Sequence, residues 1–158
     1  MAISTYAELQ TAAANWLDRT DLSSRIPEFI DLAEATFNRT IRNHRMITKN
    51  DSYSLGARYV NLPTDTLEII RIVLDTSPVI TLEYLTVVGG STNQIELLRS
   101  PDETYTSSIV YYTKIPALSD SATTNWLLTN HPDIYLFGTL VEAEPYLMND
   151  QRLQVWAS

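Results

Sequence analysis

Few side chains in this chain have the type and spacing to do chemistry. The two histidines are His44 and His131. General acid–base or nucleophilic catalysis needs such a group beside a Ser, Cys or carboxylate partner, and no nucleophile motif accompanies either one. Glu142 and Glu144 are the obvious carboxylate pair. Two residues apart, they point to different faces of a helix, which is poor geometry for shared acid and base work. Gly56, Gly89, Gly90 and Gly138 form no phosphate-cradling pattern. No metal-ligand spacing is present, and the absence of cysteine removes disulfides and thiolate sites. Asn38-Arg39-Thr40 matches a glycosylation sequon, but on a predicted helix with no secretory signal it carries no weight. These residues point away from an enzyme and imply no cofactor.

One charged cluster stands out. Arg39, Arg42, Arg45 and Lys49 are four of the eleven Lys and Arg residues, and His44 lies among them. Cations at the end of a helix favour its dipole, and charge runs usually occupy a solvated face. The functional alternative is a basic patch that meets an acidic neighbouring subunit. A nucleic-acid site is weaker, because no aromatic residues are interleaved for stacking. The chain as a whole carries a net charge of −8. Holding DNA by its phosphates requires a basic surface, so this balance opposes DNA binding. It does not oppose a passage through which DNA slides without sticking.

The elements that must position these residues follow from the pattern. The chain has 158 residues, 44% hydrophobic and 19% charged, which suits one globular domain. Met1-Ala2-Ile3-Ser4 predicts no signal peptide, and no run of about 18 apolar residues predicts a membrane span. Thr5-Tyr6-Ala7-Glu8 is a capping-box signature, and Tyr6, Leu9, Ala13, Trp16 and Leu17 recur at helical spacing to about Asp18. Arg25-Ile26-Pro27-Glu28 opens a second helix, with Ile26, Ile30, Ala33, Phe37 and Ile41 as its apolar stripe. Asp31, Glu34 and Asn38 lie off that stripe, and the basic cluster is expected at the helix end. The short link predicts antiparallel packing of the two helices.

From about Ser52 to Ile115 the period changes to two. Strands are expected around 58–62, 67–74, 79–84, 86–88, 95–98 and 105–114, with turns at Asp75-Thr76-Ser77-Pro78, Gly89-Gly90-Ser91 and Ser100-Pro101-Asp102. Ile109 and Tyr111 share one face of the last strand, Val110 and Tyr112 the other.

The final third predicts the dominant helix. Asn130 is the expected N-cap, Pro132 falls in the first turn, and Asp133 favours the dipole. Ile134, Phe137 and Val141 mark one face, while Tyr135, Leu136, Leu140, Ala143 and Leu147 spread over the rest. A helix apolar nearly all round is buried on several sides. It is therefore either the central helix of the domain or one that also packs on another subunit. Gly138 reads as a close helix contact, and Pro145 predicts a kink or break. Asn149 or Asp150 can cap a restart through Arg152, Leu153, Val155 and Trp156, and the pattern is still running at Ser158.

The expected fold is α+β: a helical bundle from N- and C-terminal helices with an inserted antiparallel β-sheet lobe. The expected division of a single domain, 1–158, is a helical hairpin at 1–50, the β lobe at 52–116 and closing helices at 120–158.

Four stretches resemble the head-to-tail adaptor proteins of tailed bacteriophages, also called connector adaptors or tail accessory factors. They are Ile26-Pro27-Glu28-Phe29-Ile30-Asp31-Leu32-Ala33-Glu34-Ala35, Asn61-Leu62-Pro63-Thr64-Asp65-Thr66-Leu67-Glu68-Ile69, Tyr111-Tyr112-Thr113-Lys114-Ile115-Pro116-Ala117-Leu118-Ser119-Asp120, and Thr124-Asn125-Trp126-Leu127-Leu128 through Trp156. The last two are the specific ones. The resemblance implies a homo-oligomeric ring, dodecameric by the family's pattern, docked under the portal protein with the tail or nozzle below. It implies a virion component at the head–tail interface that completes the DNA channel and has no catalytic residues to carry over. The sequence departs from the family's pattern in a shortened segment between Tyr84 and Val87, and family members continue beyond the position of Trp156 with a helical tail thought to grip the portal.

On this reading, ring contacts are expected around Trp126, Tyr135, Phe137 and Trp156, with Arg39, Arg42 and Arg45 as partners for acidic neighbours. The alternative is a cytoplasmic, non-enzymatic binding or chaperone module in which the all-round helix is only a monomer's core. A cell-wall hydrolase, a third possibility, lacks the spaced acid pair it would need.

Overall fold

The computed structural model describes residues 3–19, 21–74, 76, 80–82, 84–89, 92–98 and 100–147, with only the backbone for 84–89 and 92. The chain divides into two compact units. One joins the N-terminal 41 residues to the segment from Ile115 onward; the other is Arg42–Lys114. The expected helical bundle with an inserted antiparallel lobe is thus the observed architecture, with the insertion starting at Arg42 rather than Ser52.

In the helical unit, α1 spans Tyr6–Leu17 and α2 spans Ile26–Thr40. The capping box at the start of α1 is complete: Thr5 Oγ1 accepts from Glu8 N–H at 3.3 Å, and Glu8 Oε2 accepts from Thr5 N–H at 3.0 Å. Asp18 ends the helix in the left-handed conformation, φ 53°. The short α3, Trp126–Asn130, is capped by Asn125, whose Oδ1 accepts from Leu128 N–H at 2.8 Å. Asn130 is therefore not the N-cap of the long helix. It closes α3, donating to the carbonyl of Trp126 at 2.6 Å.

The long helix, α4, is Pro132–Leu147. It runs through Pro145 instead of breaking there. Pro145 is exposed in the last turn, where a single missing ladder bond disturbs little. The expected restart after Asn149 lies outside the described residues. α4 is the centre of the unit: it packs on both α1 and α2, and α2 packs chiefly on α4 rather than on α1. Tyr135, Leu136, Thr139, Leu140, Ala143 and Glu144 form its buried side. Gly138 is where α2 comes closest: a Cβ placed there would lie 2.5 Å from Phe37 Cζ and 3.6 Å from Ala33 Cβ.

The inserted unit opens with a 3₁₀ turn, His44–Met46, and contains seven strands among the described residues. They are β1 (Ile47–Leu55), β2 (Tyr59–Asn61), β3 (Thr66–Leu74), β4 (Ile80–Thr81), β5 (Tyr84–Gly89), β6 (Thr92–Leu97) and β7 (Tyr105–Thr113). They form a four-stranded sheet in the order β1-β7-β3-β4 and a three-stranded sheet in the order β2-β6-β5, all neighbours antiparallel. β5 and β6 pair as far as Gly89↔Thr92, the hairpin expected at Gly89-Gly90-Ser91. β1 was the strand hidden in the sequence, because its first residues lie in the basic cluster.

Residues paired across an antiparallel sheet share a face. Tyr53, Leu55, Ile72, Ile109 and Tyr111 from the larger sheet meet Ile95 and Leu97 of the smaller one in a single buried core, with Leu62 beside them. Burial of side chains of this size stabilises by roughly 1.5–3 kcal/mol each before chain entropy is counted.

Candidate functional site

A polar chain runs through the interior of the helical unit. Glu34 is 7% exposed although its position lies off the expected apolar stripe. Its Oε1 accepts from Leu118 N–H at 2.9 Å and from the Tyr135 hydroxyl at 3.0 Å. Asn125 Nδ2 donates to that hydroxyl at 2.6 Å and to the carbonyl of Pro116 at 2.7 Å. Burial pushes the Glu34 carboxyl above its usual range despite these donors, and Asp31 adds to the rise. Burial likewise raises the Tyr135 hydroxyl. This network fastens the segment 115–125 to α2 and α4.

This corrects the expectation for Tyr135. It is fully buried, its ring is edge-on to Phe37 at 5.3 Å, and it has no surface to offer a neighbouring copy. Phe137 is 39% exposed, and its ring meets that of Trp16 at 5.8 Å with an interplanar angle of 86°. Trp16, expected in the apolar stripe of α1, is itself 49% exposed. Beside it lies a depression of about 360 Å³ lined by Ile3, Ala12, Asn15, Trp16 and Leu136. Trp126 is half-buried, and Trp156 lies outside the described residues.

The basic cluster is dispersed. α2 ends at Thr40, so only Arg39 stands in its last turn, where it donates to Thr36 Oγ1 at 3.0 Å. Thr36 in turn donates to Glu142 at 2.9 Å. Arg42 and Arg45 follow the end of the helix and belong to the other unit. Arg42 approaches Glu68 at 3.4 Å and sits 5.9 Å from the centre of the Tyr112 ring. Arg45 is exposed in the 3₁₀ turn, and its backbone N–H caps onto Asn43.

What the sequence concealed is the outer face of the four-stranded sheet. The register aligns Ile47 with Tyr112 and Glu68, and Lys49 with Val110 and Arg71. Ile70 is the extra residue of the bulge between Ile69 and Arg71. Ile47 and Ile70 are 42% and 43% exposed, Lys49 and Arg71 are exposed, and Val110 and Tyr112 are half-buried. Glu68 shares this face, and Lys49 pairs with Asp51 at 2.7 Å, so the surface is apolar with charges of both signs.

At the end of the same unit an apolar cleft of about 660 Å³ is lined by Leu55, Leu74, Ile80, Leu82, Leu97 and Leu98, with Ser100, Asp102 and Tyr105 at its polar side. Tyr105 donates to Asp102 at 2.7 Å, which raises the hydroxyl to about 12 and holds the carboxyl below its usual value. Neither group is poised to take or give a proton near neutrality. Among the described residues no group of three or more His, Asp and Glu could hold a metal, and no helix is long and apolar enough to cross a membrane. His44 and His131 are both exposed.

The described residues thus offer an exposed aromatic pair on the helical unit, a mixed apolar and charged sheet face on the other, and an interior polar brace. The family model of the SU10 adaptor protein matches residues 4–158, nearly the whole chain, and the chain belongs to that family of phage adaptor proteins. No individually curated protein matches it.

Proposed function

We propose that copies of this chain form a ring between the portal and the tail of a phage particle, extending the channel through which DNA leaves the head. The observation that carries the reading is the family match over residues 4–158. Two physical features support it. Large apolar side chains stand exposed on both units, Trp16 and Phe137 on the helical one, Ile47 and Ile70 on the sheet, and neighbouring copies or virion proteins would cover them. The net charge of −8 keeps DNA from adhering to a wall it must slide past. The role is structural, with no reaction and no cofactor, and DNA is conducted without specific binding. Trp126, Phe137, Trp156, Arg39, Arg42 and Arg45 are assigned to contacts within the ring or with the portal.

Imaging of the assembled particle tests this. A ring of density directly below the portal, into which both units of this chain fit, is the expected result. A junction whose density is accounted for by other proteins would remove the proposal.

A further inference from the structure

We infer that the Trp16–Phe137 face of one copy seats on the outer face of the four-stranded sheet of a second copy. The inference rests on the ring reading above and assigns it two named faces.

Charge is divided unequally between the units. The segments 1–41 and 115–158 hold eleven Asp and Glu against four Lys and Arg, while 42–114 holds eight against seven. The helical unit therefore carries −7 of the net −8, and the inserted unit only −1. Two copies meeting through the same helical surface would bring two strongly acidic bodies together, which repel. A helical unit meeting an inserted unit avoids most of that cost.

The local surfaces agree with the totals. Asp133, one turn before Phe137, and Asp18, just after Trp16, are exposed beside the aromatic pair. On the sheet, Arg71 is exposed beside Ile47 and Ile70; Lys49 is paired with Asp51 at 2.7 Å, and Glu68 is exposed in register with Ile47. The match is apolar on apolar, with Arg71 as the cation on the sheet not paired within 4 Å to a carboxylate among the described residues, and the depression next to Trp16 can receive a branched side chain such as Ile47. Because the two faces differ, the contact is head-to-tail, the kind that closes into a ring when the rotation permits.

The chain contains no cysteine, so introduced thiols are the only ones on it. Phe137→Cys and Ile47→Cys variants are made separately, mixed, assembled on portal and treated with a short bismaleimide. The expected product is a 137–47 dimer in the mixture, none from either variant alone, and a ladder of higher multimers from the double variant. Dimers from Phe137→Cys alone would overturn the inference, as would particles of ring mass that give no 137–47 product while the ring reading stands. A mass of one chain with portal present would instead remove the ring reading itself. Arg71→Glu, a change on an exposed strand position, is expected to weaken assembly by about tenfold at low salt and less at high salt; unchanged assembly at both would also count against the inference.

Discussion

Inside the helical unit the hydroxyl of Tyr135 donates to Glu34 at 3.0 Å, tying the central helix to α2 across 101 positions of sequence. The same hydroxyl accepts from Asn125, so α2, the cap of α3 and α4 are held through one oxygen. Tyr135→Phe leaves the buried Glu34 and Asn125 each short of a partner while the ring still fills its space. Leaving buried polar groups unsatisfied costs about 1–3 kcal/mol, and urea denaturation should show a loss of that size. An unchanged midpoint would mean the network is not formed.

Glu34 also gives the unit a pH dependence whose sign is fixed. Its carboxyl is raised in the folded chain, first by burial, above an ordinary value of 4.5. A raised carboxyl binds its proton more tightly when folded, so its contribution is fully present below 4.5 and is lost as pH rises through the folded value. Glu34→Gln keeps an oxygen for Leu118 N–H and Tyr135 and cannot ionise. Thermal denaturation should find the variant gaining on the natural chain as pH rises from 4 to about 7. A constant difference across that range would contradict the burial of Glu34.

Gly138 permits the close approach of α4 to α2. An added methyl meets the Phe37 ring at 2.5 and 2.8 Å, and that ring is held edge-on by Tyr135. Overpacking costs about 1–3 kcal/mol, against roughly 1 kcal/mol regained by removing a helical glycine. Gly138→Ala should therefore destabilise by about 1 kcal/mol net and Gly138→Val by more, read from denaturant midpoints.

Thr66 offers a gain. Its Oγ1 is buried and meets no hydrogen-bond partner among the described residues. Thr66→Val keeps the branched shape and removes the desolvated hydroxyl, so stability should rise by about 1 kcal/mol. The check is a higher denaturation midpoint with the same slope.

How much of this was legible in the sequence depends on how local the cause is. The box at Thr5 and Glu8 and the proline at the start of α2 act within one turn, and both helices begin where those residues indicate. The alternation of Ile109 and Tyr111 against Val110 and Tyr112 likewise places the inner and outer faces of β7 correctly. The errors share a different origin. Asn130 reads as the cap of the long helix because Pro132 follows it, but it lies at the end of the short α3, whose own cap, Asn125, is held by contacts to Pro116 and Tyr135 that no local pattern reveals.

Tyr135, an expected ring contact, is turned inward by its partners, and Glu34, off the apolar stripe, is buried because a hydroxyl and an amide far along the chain satisfy it. Trp16 failed in the other direction, since its spacing matches the core face while its ring lies half outside. The basic residues read as a helix end because Ile41 still fits the helical period. The extended backbone at Ile41 ends α2 and begins the path into β1.

The account depends on this chain acting in company. Light scattering on the protein mixed with a phage portal measures that most directly. The predicted result is a particle whose added mass is that of a closed ring of copies. A mass corresponding to one chain of 17.9 kDa, unchanged by the portal, would contradict it.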